Sequence, residues 1–136
     1  MISKKSDINR TVCRGGIYLI DLSTRVGSEQ GGVRPGVVIQ NDIGNRCSPT
    51  TIICPMTSKN KKMKETHVIL TPEDCGVLMN STVLCEQIIT IDKSRIKTKV
   101  GEIRNPQKLC DIEEKILISF GMGDKNAAKP LTVCLS

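Results

Sequence analysis

The sequence is poor in aromatic and imidazole side chains, and this shortage excludes several kinds of chemistry. Its 136 residues include one tyrosine, one phenylalanine, one histidine and no tryptophan. Acid–base catalysis by a pair of histidines is therefore impossible, and we expect His67 to be a structural residue of a strand. A domain that stacks RNA bases on a row of aromatic side chains is disfavoured for the same reason.

Sequence motifs of several common enzyme classes are also missing. The chain contains neither a G-x-x-x-x-G-K-[ST] phosphate loop nor a G-x-G-x-x-G dinucleotide loop, and no G-x-S-x-G turn. Its seven cysteines include no C-x-x-C pair. Together with the single histidine, this spacing indicates reduced thiols rather than a zinc site. We therefore predict that the protein uses no metal and no cofactor.

Long hydrophobic runs are absent as well. No apolar stretch approaches the length of a membrane span, and the polar, basic segment 1–14 lacks the apolar centre of a secretion signal. We therefore expect a cytoplasmic protein. With 38% hydrophobic residues, a chain of this length can bury a core as one domain. We assign residues 14–121 to that domain, 1–13 to an N-terminal extension and 122–136 to a C-terminal tail.

The charge balance is basic, with 20 lysines and arginines against 14 acidic residues and a net charge of +6. Such a balance favours a polyanionic partner, of which RNA and DNA are the common examples. Charge alone leaves a merely basic soluble protein equally possible. The densest basic cluster consists of Lys59, Lys61, Lys62 and Lys64.

Short runs of β-branched residues, separated by turn residues, fill most of the chain and predict strands. Asn41–Asn45 has the composition of a turn, Thr71–Gly76 that of a capped turn ending in glycine, and Asp92 that of a cap on one helical turn. The predicted strands are Gly16–Leu22, 35–40, 50–56, His67–Leu70, a long stretch 82–91 bent near Glu86–Gln87, and Val100–Ile103.

The period of the hydrophobic pattern changes after Pro106, a residue type that often begins a helix. Leu109, Ile112, Ile116 and Phe120 recur every three or four residues with charged residues between them. This spacing predicts an amphipathic helix packed on the sheet. The chain is thus predicted to be α+β, with a small curled antiparallel sheet and one C-terminal helix.

A polar, glycine-rich loop meets a rigid strand at Arg34, and Thr57 stands at the far end of the next strand. The arginine side chain carries a fork of donors that matches a phosphate group. If RNA supplies its own 2′-hydroxyl as nucleophile, catalysis needs little beyond positioning and charge stabilisation. By residue type alone, a surface ion pair is the better interpretation of Arg34, and a hydrogen bond to backbone is the default interpretation of Thr57.

As a set, however, these segments resemble the MazF/PemK toxins, which are the endoribonuclease halves of bacterial toxin–antitoxin pairs. The resemblance covers about residues 14–121 and is nearest to the branch found in Gram-positive bacteria. The matching segments are Arg-Gly-Gly-Ile-Tyr at 14–18, Val-Gly-Ser-Glu-Gln-Gly-Gly-Val-Arg-Pro at 26–35, Gln-Asn-Asp-Ile-Gly-Asn-Arg at 40–46 and Glu-Gln-Ile-Ile-Thr-Ile-Asp-Lys-Ser-Arg at 86–95.

The resemblance implies an SH3-like curled β-barrel with added helices, shared with the CcdB toxins that poison gyrase. It implies a homodimer that binds RNA in a groove and is neutralised by a MazE-like antitoxin on the same groove. The implied reaction is sequence-specific cleavage of single-stranded mRNA without a metal. The 2′-hydroxyl would attack, leaving a 2′,3′-cyclic phosphate and a 5′-hydroxyl.

The resemblance also implies roles for individual residues. Arg34 would stabilise the pentacoordinate phosphorane, and Thr57 would hold a phosphate oxygen or the 2′-hydroxyl. Two alternatives stay open, a non-catalytic gyrase poison of the CcdB class and an RNA-binding module of the same fold. The residues implied to contact RNA are Ser28, Glu29, Gln30, Asn41, Ser81 and Gln87.

Overall fold

The computed structural model describes residues 12–23, 32–58 and 64–122 of the chain. The predicted tails therefore lie almost wholly outside the described residues. The strands are β1 (Gly16–Asp21), β2 (Val33–Val38), β3 (Thr50–Thr57), β4 (His67–Leu70), β5 (Ser81–Leu84), β6 (Ile89–Asp92) and β7 (Ile96–Glu102). The helices are α1 (Asp42–Cys47), α2 (Pro72–Cys75) and α3 (Pro106–Ser119), with a 3₁₀ turn at Lys93–Arg95.

The strands form one seven-stranded antiparallel sheet in the order β4-β5-β3-β2-β1-β7, and β6 also pairs with β3. Within the described residues the sheet is not closed into a barrel, because β4 and β7 are not paired with each other. An antiparallel sheet followed by the helix α3 confirms the predicted α+β fold with a C-terminal helix. The sheet is open in the described residues.

The long β stretch predicted at 82–91 is bent as expected, because a turn divides it into β5 and β6. Both strands pair with β3, β5 through Met56 and Thr57 and β6 through the segment 50–53. The two strands thus follow each other along one edge of β3. The turn between them holds Glu86 and Gln87.

The segment 41–45, predicted as a turn, instead begins the short helix α1. The Asn41 side chain accepts a hydrogen bond from the Gly44 N–H at 2.8 Å, which is the contact of a helix N-cap. Turn and N-cap use the same side-chain chemistry, so the sequence pattern alone does not separate them. The buried amide of Asn45 then fixes the helix, because its Oδ1 accepts from the Thr51 hydroxyl at 2.7 Å.

Two buried clusters hold the sheet. One contains Ile17, Val37 and Cys54 and is completed by Ile112 of α3. The other contains Tyr18, Val38 and Ile53. Adjacent residues of a strand thus enter different clusters, as the twofold alternation of strand side chains requires. Val12, which the sequence assigned to the N-terminal extension, also packs into the second cluster.

The helix α3 departs from its predicted pattern at its last apolar position. Ile112 is fully buried, but Phe120 is 62% exposed. The helix ends at Ser119, and Gly121 adopts a left-handed φ of 76°. Phe120 therefore lies where the chain turns off the helix, so the helical spacing no longer directs it toward the sheet.

Candidate active site

The pairing of β2 with β3 brings Arg34 and Thr57 together. The two strands align Gly36 with Pro55, Val37 with Cys54 and Val38 with Ile53. These pairs end two residues from Arg34 on β2 and two residues from Thr57 on β3. The two candidate catalytic residues therefore lie at the same end of this pair of adjacent strands.

Both residues line one cavity of about 570 Å³. Its polar lining includes Ser58 and Ser81 in addition to Arg34 and Thr57. Arg34 is half-buried and Thr57 is 1% exposed. The remaining wall is largely apolar and is contributed by three strands of the centre of the sheet, by β7 and by the loop after α2. It includes Leu19, Pro35, Met56, Val77 and Val100.

Ser81, which the sequence assigned to RNA contact, also lies at this cavity. It is the first residue of β5, next to Thr82, which pairs with Thr57 across the strands. Its hydroxyl donates a hydrogen bond to the carbonyl of Met79 at 3.1 Å. Ser81 is thus tied to the loop that forms one wall of the cavity.

The other residues assigned to RNA contact are placed differently. Asn41 follows the end of β2 that is remote from Arg34, and the span from Arg34 to Val38 alone is about 13 Å of strand. Gln87 lies in the turn between β5 and β6, where its N–H donates to the Leu84 carbonyl at 3.0 Å. The structure does not bring either residue to the cavity. Ser28, Glu29 and Gln30 lie outside the described residues.

A buried histidine stands beside the turn that carries Gln87. His67 Nδ1 accepts from the Lys64 N–H at 3.3 Å, so Nε2 carries the proton and donates to Glu86 Oε2 at 3.3 Å. Burial by itself would raise the pKa of Glu86. Hydrogen bonds from its own backbone N–H, from His67 and from Thr66 outweigh that effect and hold the pKa below its ordinary value. This pair ties β4 to the turn between β5 and β6, and neither residue lines the cavity.

No group of three or more histidine, cysteine, aspartate or glutamate side chains is arranged to hold a metal ion in the described ranges 12–23, 32–58 and 64–122. Within the same ranges no helix is long and apolar enough to cross a membrane. Among the described residues that line the cavity, Arg34 carries a charged side chain.

The sequence reasoning missed the apolar residues of the loop between α2 and β5. Leu78 is 97% exposed and Met79 is 58% exposed, and both line the cavity. The available signal was a Val-Leu-Met run between Gly76 and Asn80. Consecutive large apolar residues in a loop bounded by glycine and asparagine are unusual, because loops of this length are mostly polar.

Comparison with known proteins gives a consistent result. Residues 13–120 match the family described as PemK-like, MazF-like toxin of type II toxin–antitoxin systems. The chain is 46% identical over 114 residues to the protein named Endoribonuclease EndoA of Bacillus subtilis (strain 168). That match covers 83% of this chain and 97% of the relative.

Solved structures share the fold. MazF from Deinococcus radiodurans aligns with a TM-score of 0.71 at 24% identity, over 82% of this chain and 97% of that chain. A chain of a MazE–MazF crystal structure from the same organism aligns with a TM-score of 0.65 at 26% identity, over 82% of this chain and 96% of that chain.

Proposed function

Because this chain belongs to the PemK-like and MazF-like toxin family of type II toxin–antitoxin systems, we propose that it is an endoribonuclease that cleaves single-stranded mRNA at a short sequence. The observation that carries this proposal is that Arg34 of β2 and Thr57 of β3 line one cavity. A cation next to a hydroxyl, both held on rigid strands, suits a phosphodiester undergoing attack.

The reaction that suits these residues is an internal transfer within the RNA. The ribose 2′-oxygen forms a bond to the adjacent phosphorus, and the bond from that phosphorus to the 5′-oxygen of the next nucleotide breaks. The 2′-hydroxyl gives up its proton as its oxygen bonds to phosphorus, and the departing 5′-oxygen takes up a proton. The products are a 2′,3′-cyclic phosphate and a 5′-hydroxyl. Because the nucleophile belongs to the substrate, the protein supplies positioning and charge stabilisation and needs no metal.

Arg34 and Thr57 divide this work. The guanidinium of Arg34 donates to the non-bridging phosphate oxygens, whose negative charge grows as the phosphorane forms. The hydroxyl of Thr57 holds a phosphate oxygen or the 2′-hydroxyl in line for attack. Because β2 and β3 are bonded together, both groups are positioned before the substrate arrives, which lowers the cost of reorganisation.

The remaining assigned residues extend the RNA contact beyond the cut. We assign Ser81 to the nucleotide at the cavity, and Asn41 and Gln87 to nucleotides farther along the RNA, because neither of them lines the cavity. Ser28, Glu29 and Gln30 complete the proposed set from the loop before β2. A substrate several nucleotides long can contact all these groups, which accounts for sequence specificity.

The proposed partners follow from the family. The protein acts as a homodimer in the cytoplasm, where mRNA is found, and a cognate MazE-like antitoxin inhibits it by covering the RNA groove. A MazE–MazF structure with the same fold supports this partner. The net charge of +6 favours both an RNA strand and an acidic antitoxin.

The proposal is tested by incubating the purified protein with a long RNA in EDTA and sequencing the new 5′-hydroxyl ends. We expect discrete cuts that share one short sequence and that addition of Mg²⁺ does not alter. Intact RNA under every condition contradicts the proposal. Salt-sensitive RNA binding without cutting indicates a non-catalytic module instead, and trapping of gyrase on DNA indicates a CcdB-like poison.

A further inference from the structure

The loop between α2 and β5 presents large apolar side chains at the mouth of the cavity. Leu78 is 97% exposed, Met79 58% and Val33 58%, and all three line the cavity. An exposed leucine next to a second exposed apolar residue has an unfavourable free energy in water. Contiguous exposure of this kind usually marks a binding surface.

The same apolar character continues into the cavity. Met56 is fully buried and Leu19, Val77 and Val100 are partly buried, and each contributes to the wall. Arg34, Thr57, Ser58 and Ser81 add polar groups to the same lining. The cavity therefore offers a large apolar surface together with a cation and several hydroxyls, a combination that fits a molecule with one flat apolar part and one anionic part.

We propose that this cavity seats the nucleobase next to the scissile phosphate, and that Leu78 and Met79 are specificity-determining residues of the reaction. The inference rests on the proposed function, because the phosphate on Arg34 fixes which base reaches the cavity. A nucleotide has the required two parts, since its phosphate pairs with the guanidinium and its planar base enters the apolar space.

The chemistry of the wall indicates how the base is held. None of the described residues that line the cavity is aromatic, so the base is held between aliphatic and thioether side chains rather than in an aromatic stack. Methionine sulfur makes favourable contacts with aromatic rings and adapts to their shape. The hydroxyls of Ser58 and Ser81 can donate to or accept from the edge of the base, which distinguishes one base from another.

A peptide with apolar side chains is the competing occupant of such a surface. The nucleotide is favoured because Arg34 and the apolar wall belong to the same cavity, so that a single ligand must satisfy a cation and an apolar space together. A nucleotide does so with adjacent groups. A peptide needs an acidic and an apolar side chain in one particular spacing.

The experiment combines changes in the RNA with changes in the protein. The base at each position around the mapped cut is replaced in turn by an abasic residue, and kcat/KM is measured for the full-length protein and for the Leu78→Ser, Met79→Ser double variant. Phe120→Ser serves as the matched control, because Phe120 is 62% exposed but does not line the cavity. Thermal melting shows whether each variant is folded.

For the unaltered protein and for Phe120→Ser, we expect one abasic position beside the cut to lower kcat/KM by about tenfold or more. In the double variant the same abasic change is expected to lower kcat/KM by less than about threefold, because the two substitutions have already removed the apolar contacts to the base.

An equal abasic penalty in both proteins, with normal cutting, overturns the base pocket and leaves the proposed function intact. Normal cutting of every RNA by the double variant, with loss of antitoxin inhibition, also overturns it and assigns the surface to an apolar peptide. If the unaltered protein cuts no RNA at all, the proposed function itself fails, and the base pocket fails with it.

Discussion

Replacing Arg34 with alanine is expected to lower kcat/KM for RNA cleavage by about 10³-fold. Arg34 and Thr57 line the same cavity, where the guanidinium can meet the charge that develops on the phosphorane. Arg34→Lys keeps the positive charge but loses the two-pronged donor geometry, so we expect it to recover only part of the rate. Single-turnover cleavage of a short RNA containing the mapped cut site measures both variants.

Lys115→Ala is the matched control for this prediction. It also removes one positive charge, but Lys115 lies on α3 and does not line the cavity. We expect it to cut RNA within about twofold of the unaltered protein at moderate salt, because a distant surface charge is screened. An Arg34→Ala variant that folds normally and cuts as fast as this control contradicts the role assigned to the arginine.

Replacing Gly101 with alanine is expected to lower the free energy of unfolding by about 3 kcal/mol. Gly101 lies in β7, where an added Cβ would stand 2.4 Å from the backbone oxygen of Cys75. Neither partner is the end of a flexible side chain, so β7 must move away from the end of α2. The resulting fall in melting temperature, about 10 °C for a domain of this size, is measured by calorimetry.

Thr98→Ala is the control for this second prediction, because Thr98 is an exposed residue of the same strand. It changes strand propensity alone, so we expect a loss below about 1 kcal/mol. A Gly101→Ala variant as stable as the Thr98→Ala variant contradicts the close approach between β7 and α2. The comparison also tests whether β7 is fixed where Val100 joins the cavity wall.

Local signals in the sequence predicted much of the fold. The capped turn at 71–76 is an α-helical turn in which Thr71 accepts from the Asp74 N–H and Gly76 takes a φ of 79°. The cap at Asp92 is also confirmed, since its side chain accepts from the Ser94 N–H at 2.8 Å. Both devices involve residues close together in the chain, so composition and spacing suffice to specify them.

Features that depend on contacts outside the repeating pattern of one element were not predictable in the same way. The buried amide of Asn45 bonds to Thr51 and Gln40 and thereby helps convert a predicted turn into helix α1. The exposure of Phe120 depends on where α3 ends, which helical spacing does not specify. The local pattern allows more than one conformation in both cases. Side-chain hydrogen bonds decide between them at Asn45, and the position of the helix end decides at Phe120.

The cavity was also only partly predictable from the sequence. The sequence pattern and the family resemblance single out Arg34 and Thr57, but the apolar wall combines residues from β1, β2, β3, β7 and one loop. None of these segments is unusual by itself, and their meeting depends on the order of strands in the sheet. Leu78 and Met79 therefore became recognisable as a feature of the site only after the fold was known.

The central claim is that the RNA supplies the nucleophile while Arg34 and Thr57 hold the phosphate. The most direct measurement uses an RNA with a single 2′-deoxy residue immediately 5′ of the mapped cut, incubated with the protein in EDTA. We expect no cleavage at that position, unchanged cleavage when the deoxy residue is placed elsewhere, and a 2′,3′-cyclic phosphate on the product of the all-ribose strand. Cleavage of the deoxy-substituted linkage at the normal rate contradicts the account.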